Sequence, residues 1–291
     1  MLDFFANLFG YVLNFIYNLT SNYGIAIILF TILLKLLMLP MTIKQQKSMK
    51  KSSEMQVKAK EIQEKYSNDP QKMNQEMMEL YKNNNAFGGC FTSILQIIVI
   101  LSIFFLVSKP LTFMKKVDTN IINDYTKQIT EEAAESGNKR SYTEIAIIKN
   151  YANDDDKVFI NMNFLGLDLS DIPTENITDW KVYIIPLLYI VTSITSMKMN
   201  TKASIKDAEK AKEKKKEENK EDGQSQEEMM AEMNKNMGYI MPFMTVSIAL
   251  IAPLGLALYW FVNNVLSIIE RIILNKILKD EDNKDEVIIS K

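Results

Sequence analysis

Apolar and polar residues alternate in long blocks along this 291-residue chain. Five apolar blocks of 16 or 17 residues are separated by stretches dense in Lys, Glu and Asp, and they cover residues 25–41, 91–107, 182–197, 237–252 and 254–269. A helix that crosses a bilayer needs about 20 apolar residues, so each block is short and suits a locally thinned bilayer. The pattern predicts an all-α polytopic membrane protein with five transmembrane helices.

The first 22 residues show a different pattern. Apolar side chains, Phe5 and Phe9 among them, recur at steps of three and four, and Asp3 and three asparagines form a polar stripe. We predict an amphipathic helix over residues 1–22 that lies in the membrane interface, with Phe in lipid and Asn in water. A sixth span and a signal peptide are the alternatives. A signal peptide would need an early basic residue and a small-residue cleavage site, which this segment lacks.

The blocks and their flanks divide the rest of the chain into spans and connecting segments. The predicted spans are residues 23–43, 89–107, 182–198, 237–252 and 253–273. The segments outside the spans are a helical hairpin at 44–88, a long segment at 108–181, a charged loop at 199–236 and a tail at 274–291. The hairpin turns at residues 67–70, because Pro cannot continue a helix and Asn-Asp favours a turn. Its apolar residues either join its two arms or form a docking surface for incoming polypeptide or targeting factors.

The distribution of basic residues predicts the orientation. Residues 44–86, 198–236 and 270–291 hold 24 Lys and Arg, and with five spans they share one side of the membrane. Residues 108–181 hold nine basic and thirteen acidic side chains. By the positive-inside rule the N-terminus is outside and the C-terminus is cytoplasmic. The hairpin, the charged loop and the tail are then cytoplasmic, and the long segment is extracytoplasmic.

Composition excludes several classes of function. The chain has no His and one Cys, Cys90, so His-based triads, His metal sites, zinc clusters and internal disulfides are excluded. The formal net charge of −2 argues against a specific nucleic-acid partner. No nucleotide-binding motif is found. We therefore expect neither an enzyme nor a bound cofactor or metal.

Polar side chains inside the predicted spans are the candidate functional residues. Lys35 lies in the first span, where an ionisable group costs roughly 2.5–3.5 kcal/mol near mid-bilayer. It either faces a hydrated cavity or extends its ammonium group to the cytoplasmic headgroups. Gln96, Asn263 and Asn264 cannot be satisfied cheaply by their own helix carbonyls, as Ser and Thr can. Together these four residues predict a hydrated cavity among the helices.

Four stretches resemble one protein family, in order along the chain. They read IAIILFTILLKLLMLPMTIK at 25–44, NNNAFGGCFTSILQIIVILSIFFLV at 83–107, FLGLDLS at 164–170 and PLGLALYWFVNNVLSIIERII at 253–273. The chain is similar to the YidC/Oxa/Alb membrane-protein insertases, in the short form typical of Gram-positive bacteria. The resemblance covers all five predicted spans.

The resemblance implies a hydrophilic groove that is open to the cytoplasm and to lipid and closed to the outside. The family places an Arg in this groove, and Lys35 matches its position. Lys keeps the positive charge but loses the planar, bidentate fork of Arg. Thr31 and Trp260 match positions along the path of the substrate helix. The expected substrate-groove residues are therefore Lys35, Thr31, Gln96, Asn263, Asn264 and Trp260.

The resemblance also implies a location and partners. It indicates the plasma membrane of a bacterium and a role as insertase and chaperone in protein transport. Expected partners are nascent membrane proteins and the lipid bilayer, together with the Sec translocon, ribosomes and a targeting receptor. The alternative function is a small membrane channel or transporter. That function would favour an internal repeat and a paired acid within a span, and we expect neither in this chain.

Overall fold

The computed structural model describes residues 1–67, 69–83, 88–136, 142–213 and 246–289. The helices are α1 (Leu2–Thr20), α2 (Tyr23–Lys65), α3 (Pro70–Asn83), α4 (Gly88–Ser108), α5 (Thr119–Ser136), α6 (Thr143–Tyr151), α7 (Ile184–Glu213) and α8 (Leu254–Ile289). A π-helical turn at Leu111–Lys115 follows α4, and a 3-10 turn at Trp180–Tyr183 precedes α7. The strands are β1 (Asn163–Phe164) and β2 (Leu167–Asp168). Residues 246–251 are also helical.

Two compact units make up the chain. The first contains Met1–Leu36, Ile98–Ile194 and Tyr239–Lys291, and the second contains Leu37–Ile97 and Thr195–Gly238. Most of the predicted charged loop at 199–236 and of the predicted span at 237–252 lies outside the described residues.

Within the described ranges, three helices are long and apolar enough to cross a membrane. They are Tyr23–Ser48, Trp180–Met199 and Leu254–Ile277, and α4 contains a shorter apolar stretch, Ile94–Ser108. The predicted all-α membrane protein is confirmed at this level. The layout with five spans stays a prediction.

The helices extend well beyond the apolar blocks from which they were predicted. The first span is part of α2, which continues through Pro40 as far as Lys65. The last span is part of α8, which continues to Ile289, so most of the predicted tail is helical. Lys, Glu and Gln in these extensions are strong helix formers, and the hydrogen-bond ladder of a helix does not require apolar side chains. Hydropathy therefore finds the membrane part of each helix but not its end.

Helix α1 packs within the first unit through one face, which contains its two smallest residues, Ala6 and Gly10. Ala6, Gly10, Leu13 and Ile16 form its buried face. A Cβ at Gly10 would lie 1.9 Å from the carbonyl oxygen of Phe113, so only glycine permits this approach. The opposite face is apolar but exposed, through Phe4, Leu8, Tyr11, Phe15 and Leu19.

The predicted assignment of the Phe side chains in α1 to lipid stays a prediction, and the structure shows that these side chains are not equally exposed. Phe9 is half-buried and lies 6.1 Å from Phe30, measured between ring centroids, whereas Phe4 and Phe15 are exposed. Because α1 has apolar residues on both faces, helical spacing could not show which face meets the protein. The small residues Ala6 and Gly10 decide it, since they allow the backbones to approach.

A short stretch of the 108–181 segment fixes the start of two helices, and we call residues 161–171 the platform. The backbone N–H of Tyr23 donates to the carbonyl of Asn161 at 3.0 Å, at the start of α2. The N–H of Leu254 donates to the carbonyl of Asp171 at 2.9 Å, at the start of α8. The first N–H groups of a helix have no partner within it, so these bonds satisfy groups that would otherwise be orphaned.

The platform is rigidified by a tight β-hairpin. Strands β1 and β2 pair antiparallel, with Asn163 opposite Asp168 and Phe164 opposite Leu167. Their two-residue turn places Leu165 and Gly166 at φ values of 53° and 80°. Two successive positive φ values are the signature of the turn that suits the twist of a two-residue hairpin.

The second unit contains the hairpin formed by the end of α2 and by α3. The ammonium groups of Lys65 and Lys72 lie 5.4 and 5.2 Å from the centre of the Tyr66 ring, at the corner between the helices. The carboxylate of Asp69 accepts from the N–H of Lys72 at 3.1 Å and caps α3. Side chains of this hairpin line a cavity of about 550 Å3, formed by Gln63, Met73, Asn74, Met77 and Met78.

Candidate functional site

Lys35 forms the centre of a polar cluster between α2 and α8 in the first unit. Its ammonium nitrogen Nζ lies 2.7 Å from Ser267 Oγ and 3.3 Å from Glu270 Oε2. Ser267 in turn donates its hydroxyl hydrogen to the carbonyl oxygen of Asn263, at 2.7 Å. The side chains of Lys35 and Glu270 are only 22% and 10% exposed. The cluster is therefore a partly buried ion pair supported by a short hydrogen-bond chain.

The platform explains why these two helices meet at this point. Lys35 follows Tyr23 by twelve positions, and Ser267 follows Leu254 by thirteen. At a rise of about 1.5 Å per residue, both lie roughly 18–20 Å along their helices. Because both helices begin on the platform, equal lengths bring Lys35 and Ser267 to the same depth.

Glu270 is only partly satisfied. Its Oε2 faces Lys35, whereas its Oε1 is buried and has no hydrogen-bond partner among the residues that the structure describes. An ionised carboxylate can accept about four hydrogen bonds, and a buried oxygen without a donor is costly. The acid is thus held near the cation but is not locked by further bonds.

The other predicted groove residues lie on α2, α4 and α8. Thr31 is 2% exposed, and its hydroxyl donates to its own helix at the carbonyl of Ile27, 2.6 Å away. Trp260 packs against Tyr189 with the rings tilted by 33° and 5.5 Å between their centroids. Asn264 is half-buried on α8. Gln96 is half-buried on α4, in the second unit.

The structure therefore joins only part of the predicted set. Lys35 is linked through Ser267 to the backbone of Asn263, and Trp260 has an aromatic partner on α7. The role of all six residues in a substrate groove stays a prediction. Among the described residues, no three His, Cys, Asp or Glu side chains come together as metal ligands.

Glu270 is the residue that sequence reasoning missed. It follows the last apolar block, 254–269, by one position, so a search for acids within the blocks passed over it. The expectation that no span holds a paired acid is wrong, because the apolar helix Leu254–Ile277 contains Glu270 and pairs it with Lys35. A helical-face analysis could have found it. Asn263, Ser267 and Glu270 are spaced by four and three and share one face of α8.

The segment that carries the platform also contains a buried acid. Glu144 on α6 is 7% exposed and accepts from the backbone N–H of Thr112 at 3.0 Å and from its hydroxyl at 2.6 Å. Burial raises the pKa of Glu144 above its usual value, and the bonds from Thr112 oppose that rise only in part. Lys115 shows the converse effect, since burial lowers the pKa of its ammonium group. The amine of Lys115 donates to the carbonyls of Asp156 and Phe159, each at 2.6 Å.

Comparison with known sequences relates most of the chain to one family. The sequence model of the family described as 60Kd inner membrane protein matches residues 15–282.

Three proteins described as membrane protein insertase YidC are similar over shorter stretches. The one from Caldanaerobacter subterraneus subsp. tengcongensis is 44% identical over 33% of this chain and 47% of its own length. The one from Clostridium tetani is 37% identical over 36% of this chain and 49% of its own length. The one from Helicobacter pylori is 42% identical over 36% of this chain and 19% of its own length. The aligned part of this chain thus spans half or less of each of these relatives.

Proposed function

Because the chain belongs to the 60Kd inner membrane protein family, a family of multi-pass bacterial inner membrane proteins, we propose that it is a membrane protein insertase and chaperone. It moves the polar tails of nascent membrane proteins across the bilayer and releases their apolar helices into lipid. The observation that carries this proposal is the Lys35 ammonium group inside an apolar helix, held by Ser267 and Glu270. A cation at this depth requires a polar, hydrated environment, which is the environment that a crossing tail needs.

The physical task is to lower the barrier for a polar segment in hydrocarbon. Each charge or unpaired backbone group of the tail costs several kcal/mol in lipid. A groove hydrated from the cytoplasmic side shortens the apolar distance that the tail must cross. The driving force is burial of the substrate's own apolar helix, at about 25 cal/mol per Å2. The proposal includes no covalent step and no cofactor.

Each candidate groove residue has a proposed task. Lys35 attracts acidic side chains of the tail. The amides Gln96, Asn263 and Asn264 keep water in the groove. Thr31 and Trp260 lie along the path by which the substrate helix slides into lipid. Trp260 supports this role through its position on α8, since it lies two turns before Ser267 on the same helix.

The layout of the membrane part also belongs to the proposal. We infer five spans with the N-terminus outside and the C-terminus in the cytoplasm. Four lysines directly after the first apolar block support this orientation: Lys44, Lys47, Lys50 and Lys51. The exposed apolar face of α1 supports its position in the membrane interface.

The proposed partners follow from the function. Nascent membrane proteins are the substrates, and the bilayer is both the solvent and the destination. The protein acts alone or with the Sec translocon, and receives chains from ribosomes or a targeting receptor. The tail is a poor contact for RNA, because residues 270–291 hold five basic and six acidic side chains.

Reconstitution tests this proposal. We would measure insertion of a single-span substrate with an acidic tail into liposomes that contain wild-type protein, Lys35→Leu or Lys44→Leu. Lys44 lies on the same helix and is exposed, so it controls for loss of a positive charge. We expect insertion by wild type and by Lys44→Leu, and a large loss in Lys35→Leu. Insertion no better than in protein-free liposomes, combined with selective solute flux, would instead indicate the channel function.

A further inference from the structure

We propose that Glu270 is an internal counter-ion that occupies Lys35 in place of a substrate's acidic tail, and so determines which tails the groove accepts. The inference rests on the proposed insertase function and adds a specificity residue to it. The tail's carboxylate and the Glu270 carboxylate compete for one ammonium group. Acidic tails must displace Glu270, and neutral tails need not.

The geometry of the pair favours exchange over permanent structure. The separation of 3.3 Å between Lys35 Nζ and Glu270 Oε2 exceeds the 2.7–2.9 Å of a tight charge-assisted hydrogen bond. The same unit contains a tight pair for comparison. Lys149 Nζ lies 2.6 Å from Asp171 Oδ1, which also accepts from the side-chain amide of Asn176 at 2.6 Å.

The two pairs differ in what holds the acid. Asp171 accepts from two side chains, and its backbone carbonyl binds the start of α8. Glu270 has one polar contact on Oε2, and its Oε1 is buried without a donor in the described part of the chain. The side chain of Glu270 is nine-tenths buried within the protein. Because Oε1 has no donor, the ion pair between Lys35 and Glu270 is less stable than a buried pair in which both carboxylate oxygens accept hydrogen bonds.

Lys35 is equipped to change partners without leaving its position. An ammonium group has three donors, and Ser267 and Glu270 account for two of them. Ser267 is bonded to the backbone of α8 and remains a fixed anchor for the amine. The bond that Lys35 now makes to Glu270 can then pass to an incoming carboxylate while the amine stays in place. Two carboxylates that share one cation repel each other, so Glu270 must give way as the tail binds.

The selectivity for charge follows directly. Where Glu270 is neutralised, Lys35 attracts an acidic tail without competition, and a tail without charge gains nothing. The variant Glu270→Gln keeps the size of the side chain and removes its charge. The effect of this variant on insertion should therefore depend on the charge of the tail. A purely structural effect would change the insertion of acidic and neutral tails alike.

Two substrates and four proteins test this inference. One single-span substrate carries two Asp in its tail, and the other carries two Asn at the same positions. Liposomes contain wild type, Glu270→Gln, Lys35→Gln/Glu270→Gln, or the exposed control Glu175→Gln. For Glu270→Gln we expect the ratio of Asp-tail to Asn-tail insertion to rise about fivefold over wild type, which is the upper end of what a solvent-accessible ion pair contributes. The double variant should show a ratio at or below that of wild type, and Glu175→Gln should match wild type.

The outcomes separate the inference from the function on which it rests. If wild type inserts the Asn-tailed substrate but Glu270→Gln leaves the ratio unchanged or lowers it, the counter-ion role is overturned and the insertase stands. If wild type inserts neither substrate above protein-free liposomes, the proposed function itself fails. Should Glu270→Gln not fold, Glu270→Asp replaces it. That variant withdraws the carboxylate by one methylene, and an unchanged ratio there would overturn the counter-ion role equally.

Discussion

The Lys35 ammonium group lies 2.7 Å from the hydroxyl of Ser267, although 232 positions separate the two residues in the chain. This contact depends on the platform, because both helices begin on it and run a similar distance before they meet. A structural element outside the apolar helices thus sets the depth of the polar cluster within them.

Removal of Lys35 alone should destabilise the protein more than removal of the whole pair. In Lys35→Leu the carboxylate of Glu270 stays buried without its cation, which should lower the free energy of unfolding by about 1–3 kcal/mol for a pair with some solvent access. In Lys35→Leu/Glu270→Leu no charge remains, and most of the stability should return. Thermal unfolding in detergent measures both. A double variant no more stable than the single variant would show that the pair does not interact as described.

Gly10 should tolerate no larger residue. In Gly10→Ala the new Cβ would clash with the backbone of Phe113, so α1 must move away, at a cost of about 1–3 kcal/mol for overpacking. Limited proteolysis of α1 should then accelerate. Asn18→Ala changes an exposed position of the same helix and should have little effect. Equal protection of both variants would mean that α1 does not pack through this face.

Stability should depend on pH through Glu144. Its pKa is raised by burial, so the folded protein holds the proton more tightly than the unfolded chain. This group therefore stabilises most below about pH 4.3, the ordinary value for Glu, and its contribution is lost as the pH rises through the higher folded-state pKa. Glu144→Gln should reduce the loss of stability between acidic and neutral pH. Melting temperatures across this range measure it, with exposed Glu175→Gln as the control; identical pH profiles for wild type and Glu144→Gln would contradict the prediction.

The two tryptophans offer an optical test of the substrate path. Trp260 packs against Tyr189 within the apolar helices, whereas Trp180 is 69% exposed in the 3-10 turn. In Trp180→Phe the remaining emission comes from Trp260, and addition of a substrate helix should change its intensity or wavelength. In Trp260→Phe the emission of Trp180 should stay constant. A response confined to Trp180 would place the substrate elsewhere.

The sequence predicted the helical membrane architecture because apolar blocks are a direct consequence of lipid contact. It predicted Lys35 as the central polar residue for the same reason, since a charge within such a block is exceptional. It passed over Glu270, which lies one position beyond the apolar block although it is inside the predicted span 253–273. Whether a residue at that boundary faces a partner depends on how α2 and α8 are aligned, and the distant platform sets this alignment.

The faces of α1 illustrate a second limit. Periodicity showed that residues 2–20 are helical, and the structure places a helix at Leu2–Thr20. Both faces of that helix are apolar, so hydropathy alone could not distinguish the face that packs on protein from the exposed one. Which face of α1 packs on protein depends on the space beside Gly10, and that space exists only in the folded unit.

The most direct test of the account is to ask which carboxylate Lys35 meets. A membrane-permeant carbodiimide joins a neighbouring amine and carboxylate as an amide, and mass spectrometry identifies the two residues. Without substrate, we expect Lys35 linked to Glu270. With an insertion intermediate that carries one Asp in its tail, this link should decrease and a link from Lys35 to that Asp should appear. Persistence of the Lys35–Glu270 link in the intermediate, with the tail joined to other residues or to none, would contradict the claim that the tail passes this cation.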